Sequence, residues 1–151
     1  MDSYEINKDT CAIISVDKNI TKVVEKNNEY YVNQTTYEIM DNSCQYYGSS
    51  CEGRIKGTKM ILGSNYKVPI IVEESNDIIF FPTESPSSAS CSWLSLNKIE
   101  RYEDCEGFTK VTFVNGQSIV VKMSEASFEN QILRANRLES LLKKRINDKE
   151  K

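Results

Sequence analysis

The stretch Cys44–Lys59, "CQYYGSSCEGRIKGTK", gathers three glycines, two serines, two tyrosines, two cysteines and three basic side chains. These residue types could serve as a phosphate cradle, a metal knuckle, a disulfide corner or a nucleic-acid contact. A phosphate loop needs G-x-x-x-x-G-K-[ST]. Gly53 follows Gly48 at the right spacing, but Arg54 and Ile55 stand where the lysine and hydroxyl belong. A zinc site is equally poorly served. Cys44 and Cys51 enclose six residues, Cys91 stands forty further on, and there is no C-x-x-C pair. The five thiols read as small buried hydrophobes in the reduced state, and no metal or cofactor is expected.

Nucleophilic or acid–base catalysis lacks its usual partner, because the chain has no histidine. The carboxylate pair Glu73-Glu74 is of a kind found on most acidic surfaces. No catalytic residue is assigned, and the chain reads as a non-enzyme. What remains in the Cys44–Lys59 stretch is general anion chemistry. Backbone N–H groups at a serine-glycine turn, at the start of a helix, hold phosphate well. Lysine and arginine supply counterion release, and serines fix register on a phosphate backbone. The alternative is a glycine-rich corner with core tyrosines and solvated bases.

Charge supports an anionic partner more than the net value of −3 does, because it is segregated. Residues 1–43 sum to −4, 44–70 to +3, 71–109 to −6 and 110–151 to +4. Two basic blocks therefore alternate with two acidic ones, which excludes a uniformly sticky, histone-like binder. No apolar run approaches the roughly 20 residues that span a bilayer. The start, "MDSYEINKDT", is acidic and polar rather than a signal peptide. A cytoplasmic protein of one domain, residues 1–151, is expected.

The elements that must position these residues follow from pattern. Residues 1–43 read as short strands, "CAIISV", "TKVVEK", "EYYVN" and "TTYEIM", rich in β-branched and aromatic side chains. Ser49 or Ser50 caps a short helix that runs to about Leu62 and is weakened by Gly53 and Gly57. Strands "VPIIVE" and "DIIFFP" follow, then a serine-rich loop, "TESPSSAS", and an extended run around Trp93.

"FTKVTFV-NG-QSIVVKM" is a β-hairpin on the preferred type I′ pair Asn115-Gly116. That turn places Val111, Phe113 and Val120 on one face and Val114, Ile119 and Val121 on the other. Ser124 opens a helix over 124–146 with Phe128, Ile132, Ala135, Leu142 and Ile146 in one stripe and Leu138 at its edge. Arg134, Arg137, Lys144 and Arg145 lie mostly on the far side, with Leu133 and Leu141 among them. A frayed tail is expected over 147–151. The fold class is α+β, a mainly antiparallel β-sheet with a short internal helix and a long C-terminal helix. Trp93, Phe113, Val111 and Ile119 are expected in its core.

Several motifs carry a resemblance to a known family. "SCQYYGSSCEGRIKGTK", "PIIV", "IFFPT-SP", Cys91-x-Trp93, "VTFVNGQ-I" and "SFENQILRANRLESLLKKR" stand in the order seen in the competence transcription factors of Firmicutes, the ComK family. The likeness spans roughly residues 42–145 and is looser before them. It implies a cytoplasmic activator that binds double-stranded, AT-rich promoter boxes of DNA-uptake genes largely through the minor groove. It further implies a homodimer or dimer pair on DNA, with RNA polymerase and a Clp-protease adaptor as further partners.

A narrow, negative A-tract minor groove attracts arginine and lysine without an ordinary recognition helix, and nothing here reads as a helix-turn-helix. Arg54, Lys56 and Lys59 are the first DNA-contact candidates, with Ser49 and Ser50 on phosphate. Arg134 and Arg137 come second. The long helix could equally carry the dimer, through Leu133 and Leu141. The rival is a non-catalytic protein-interaction module with no direct DNA contact, in which the hairpin and the long helix form a docking surface and the bases are merely solvated. Cys51 departs from the family, whose members usually carry an aromatic there. Longer members continue past the helix in a tail tied to proteolytic control, so regulation is not carried over.

Overall fold

The computed structural model describes residues 1–150, with side chains through Asp148. It is an α+β fold in which every paired strand is antiparallel. The first meander is β1 (Thr10–Asp17), β2 (Ile20–Glu25) and β3 (Glu29–Val32). Helices α1 (Thr36–Tyr46) and α2 (Cys51–Leu62) then cross to a second meander, β4 (Ile70–Glu73), β5 (Ile78–Pro82) and β6 (Trp93–Ser95). Pairing of β1 with β6 joins the two into one sheet, ordered β3-β2-β1-β6-β5-β4. After a 3-10 turn at Leu96–Lys98, β7 (Ile99–Cys105), β8 (Phe108–Phe113) and β9 (Ser118–Val121) make a three-stranded sheet, and α3 (Glu125–Glu150) closes the chain.

The unbroken apolar runs of β4 and β5 are explained by burial on both faces of the larger sheet. Alternate residues point to opposite sides. Ile13, Val23, Ile70, Phe80 and Trp93 pack with Ile39, Met40, Cys44 and Cys51 of α1 and α2. Ala12, Val24, Ile71, Phe81 and Leu94 pack with Val111, Phe113, Phe128, Ala135 and Leu138. Val111, Phe113 and Ile119 therefore belong to the second cluster, and Trp93 lies across the sheet from them in the first.

Three local expectations are corrected. "TTYEIM" is not a strand but the start of α1. Thr35 is its N-cap, with Glu38 N–H donating to Thr35 Oγ1 at 3.1 Å and Thr35 N–H to Glu38 Oε1 at 3.1 Å. This reciprocal capping box outweighs the β-branched composition. Among the described residues there are thus two internal α-helices where one was expected.

The Asn115-Gly116 hairpin is not type I′. Among its turn residues only Gly116 has a positive φ, 89°, and Gly116 N–H bonds Phe113 O while Phe113 N–H bonds Gln117 O. A three-residue loop with a glycine bulge results. The extra loop residue slips the register by one, pairing Val111 with Ile119 and Lys110 with Val120. Val111, Phe113, Ile119 and Val121 share the packed face, while Val120 and Val114 are exposed. The type I′ signature belongs instead to Glu106-Gly107, φ 52° and 89°, which joins β7 to β8.

Helix α3 starts as expected, with Ser127 N–H donating to Ser124 Oγ at 3.1 Å, and it runs past residue 146. Of the tail expected to fray, Lys151 lies outside the described residues. Its buried stripe is turned relative to the expected one. Phe128, Gln131, Ala135 and Leu138 are buried, while Ile146 is 41% exposed.

Candidate nucleic-acid interface

Helix α2 begins where the serine-glycine turn predicts. Ser50 is its N-cap and accepts the Gly53 N–H at 2.9 Å, and Gly63 ends it in the left-handed conformation. A Cβ at residue 53 would stand 3.0 Å from Ser50 Oγ and 3.3 Å from Ser49 Oγ, so the two hydroxyls close over this glycine. The turn is not an open phosphate cradle. Cys51 N–H donates to Asp41 Oδ1 at 2.9 Å, so a carboxylate from α1 already sits at the positive end of α2.

The basic candidates separate by helical geometry. Residues 52, 55, 56 and 59 recur at three- and four-residue spacing and so share one face of α2. That face forms one wall of an open groove. Tyr37, Asn65, Tyr66, Lys67, Val68, Ser85, Pro86 and Ser87 complete its lining. Lys56 is exposed and pairs with Glu52 at 3.1 Å, an interaction worth little on an exposed surface. Lys59 is half-buried in the groove.

Arg54 points elsewhere. Its Nη1 lies 3.5 Å from Glu74 Oε1, its side chain is 21% exposed, and its Nε is buried without a partner. Arg134 is also turned inward. It donates through Nη1 to Gln131 Oε1 at 2.8 Å and Lys67 O at 3.3 Å, and through Nη2 to Ser64 Oγ at 3.0 Å and to Tyr66 O. Burial lowers its pKa from the ordinary value. Arg137, one turn on, is exposed.

Of the candidates, the structure therefore brings Lys56 and Lys59 together in one groove. Ser49 and Ser50 lie at its helix's N-terminus, and Arg54, Arg134 and Arg137 lie outside its lining. Tyr37, Tyr66, Lys67 and the serine loop were missed. They come from separate places in the chain, and only the Thr35-x-x-Glu38 box could have signalled that Tyr37 lies on a helix. Lys67 Nζ stands 5.0 Å from the Tyr66 ring centroid.

The four buried thiols, Cys11, Cys44, Cys51 and Cys91, are poor nucleophiles and poor ligands as they stand. Burial raises Cys44 and Cys91 to about 11 and Cys51 to about 12. Among the described residues, no group of three or more histidine, cysteine, aspartate or glutamate residues is placed to hold a metal ion. No helix among them is long and apolar enough to cross a membrane. A groove carrying three lysines, two tyrosines and a serine-rich lip suits a polyanion with sugar faces to pack against.

The comparisons with known proteins bear on which polyanion. Residues 1–147 match the family model described as ComK protein. The competence transcription factor of Bacillus subtilis (strain 168) is 37% identical over 150 residues, which are 97% of this chain and 78% of that protein. No solved structure matches.

Proposed function

This chain belongs to the ComK family, and we propose that it is a DNA-binding transcriptional activator of competence genes that reads AT-rich promoter boxes largely through the minor groove. It works in the cytoplasm as a homodimer or dimer pair, without catalysis or cofactor, and engages RNA polymerase as a protein partner. The observation that carries the reading is the groove in which Lys56, Lys59 and Lys67 converge beside Tyr37 and Tyr66. Its lysines neutralise phosphates and its aromatics lie against sugar. Ser49 and Ser50 lie along the same strand path, and Arg137 meets phosphate outside the groove. Arg54, held back at Glu74, swings out only when DNA replaces that carboxylate.

The test is a fluorescence titration of a labelled A-tract duplex beside a GC-rich duplex of equal length, at two salt concentrations. Tighter binding to the AT-rich duplex is expected, with a loss on the order of a thousandfold between about 50 and 200 mM salt if six or more phosphates are neutralised. Lys56→Ala and Lys59→Ala should each weaken binding and lower the salt slope by about one. Equal binding to both duplexes would sink the AT-rich reading. Absence of binding would leave the protein-interaction module, whose rim charges respond far less to salt.

A further inference from the structure

Two polar side chains one turn apart on α3 converge on a single short loop, residues 64–67. Gln131 is 3% exposed and donates through Nε2 to Lys67 O at 2.9 Å and Pro82 O at 2.9 Å. Arg134 spans the rest of the loop, reaching Ser64 Oγ, Tyr66 O and Lys67 O. Lys67 itself has φ 45°, a conformation that non-glycine residues adopt when their surroundings enforce it. The backbone of this loop is therefore fixed from behind at Tyr66 and Lys67, by the Gln131 amide and by charge-assisted hydrogen bonds from Arg134. Yet its largest side chain faces outward, with Tyr66 67% exposed beside the lysine face of α2. A large aromatic held in water on a rigid backbone loses little freedom on binding, which is the property of an interface anchor.

We propose that residues 64–67 form a DNA-contacting finger. The Tyr66 ring packs on deoxyribose at the edge of the groove, and Lys67 meets the neighbouring phosphate. Gln131 and Arg134 are positioning residues that hold the finger and do not touch DNA. This rests on the DNA-binding reading above and gives Arg134, a DNA-contact candidate from the sequence, no phosphate of its own.

The experiment uses the full chain and the labelled A-tract duplex. Tyr66→Ala, at an exposed position, leaves the melting temperature unchanged and weakens binding about tenfold. Lys67→Gln lowers the salt slope by about one. Arg134→Ala weakens binding in the native background, but costs less than about twofold in a chain already carrying Tyr66→Ala and Lys67→Gln. An equal loss in both backgrounds, with a further drop in slope, would mean that Arg134 meets phosphate directly and would overturn the positioning role. If the native chain binds and Lys59→Ala weakens it while Tyr66→Ala and Lys67→Gln bind normally, the finger is wrong and the groove stands. If the native chain binds no DNA, both fall together.

Discussion

Asp41 Oδ1 accepts the backbone N–H of Cys51 at 2.9 Å, while its Oδ2 accepts from Gln45 Nε2 at 2.9 Å. One carboxylate thereby locks the last turns of α1 to the first turn of α2. It also fills, with a charge of the protein's own, the place that a phosphate would take at the α2 N-terminus. The serine-glycine turn is a corner device, and the basic chemistry lies one turn further along the helix.

Asp41→Asn separates these two roles, because the amide retains an oxygen for Cys51 N–H and loses the charge. Stability should fall by less than about 1 kcal/mol. Affinity for the A-tract duplex should rise about two- to threefold at low salt, and the gain should vanish at high salt. Weaker binding at low salt in the folded variant would count against a DNA path close to this corner.

The thiols give a prediction independent of DNA. Cys11, Cys44, Cys51 and Cys91 are buried and Cys105 is half-buried. Burial raises Cys44 and Cys91 to about 11 and Cys51 to about 12. Iodoacetamide at neutral pH should label Cys105 first, with the other four following only as fast as the protein opens. The sign for stability follows from the raised values. The folded state favours the protonated thiols, so their contribution is intact below the unfolded value of about 8.5 and is lost as pH climbs toward the folded values. The melting temperature should decline above about pH 9. Peptide mapping that finds Cys51 labelled as fast as Cys105 would contradict this packing.

Two glycines should respond in opposite directions. Gly116 has φ 89° in the bulged hairpin loop, so Gly116→Ala should cost about 1–2 kcal/mol. Gly57 is inside α2, and a Cβ built there meets nothing within 4 Å. Gly57→Ala should therefore stabilise by about 0.5–1 kcal/mol. Urea denaturation reads both. A destabilised Gly57→Ala would reveal a requirement for flexibility in α2.

Much of the fold was legible because local signals agreed with the tertiary outcome. Ser50 and Ser124 announce their helices, and the β-branched runs of β1, β2, β4 and β5 announce their strands. Legibility failed where a signal was reciprocal or nonlocal. The Thr35–Glu38 box is one motif spread over four residues and was hidden by threonine and tyrosine content. β7, "IERYEDC", is too charged to read as a strand, and its place follows from pairing with β8. The hairpin register depends on whether the loop holds two residues or three, which Asn115-Gly116 alone does not decide.

The candidate site was half legible for the same reason. Lys56 and Lys59 lie in an obviously basic helix, whereas Tyr37, Tyr66 and Ser85–Ser87 join them only through the fold. Arg134 looked like a surface base, because nothing in its own helix shows that a loop some seventy residues earlier folds over it.

That loop supplies the last prediction. Gln131 is buried, donates to two backbone carbonyls and accepts from Arg134 Nη1 at 2.8 Å. Gln131→Leu fits the space but deprives Pro82 O and Lys67 O of a donor, and should cost about 2–3 kcal/mol. Gln131→Glu keeps the partner of Arg134 but turns a carboxylate oxygen toward those carbonyls, so it should be worse at pH 7. It should recover in part near pH 5, because a protonated carboxyl can donate again. Denaturation at both pH values compares the two variants. A Leu variant as stable as the native chain would mean that the loop holds its conformation without the Gln131 half of the α3 clamp.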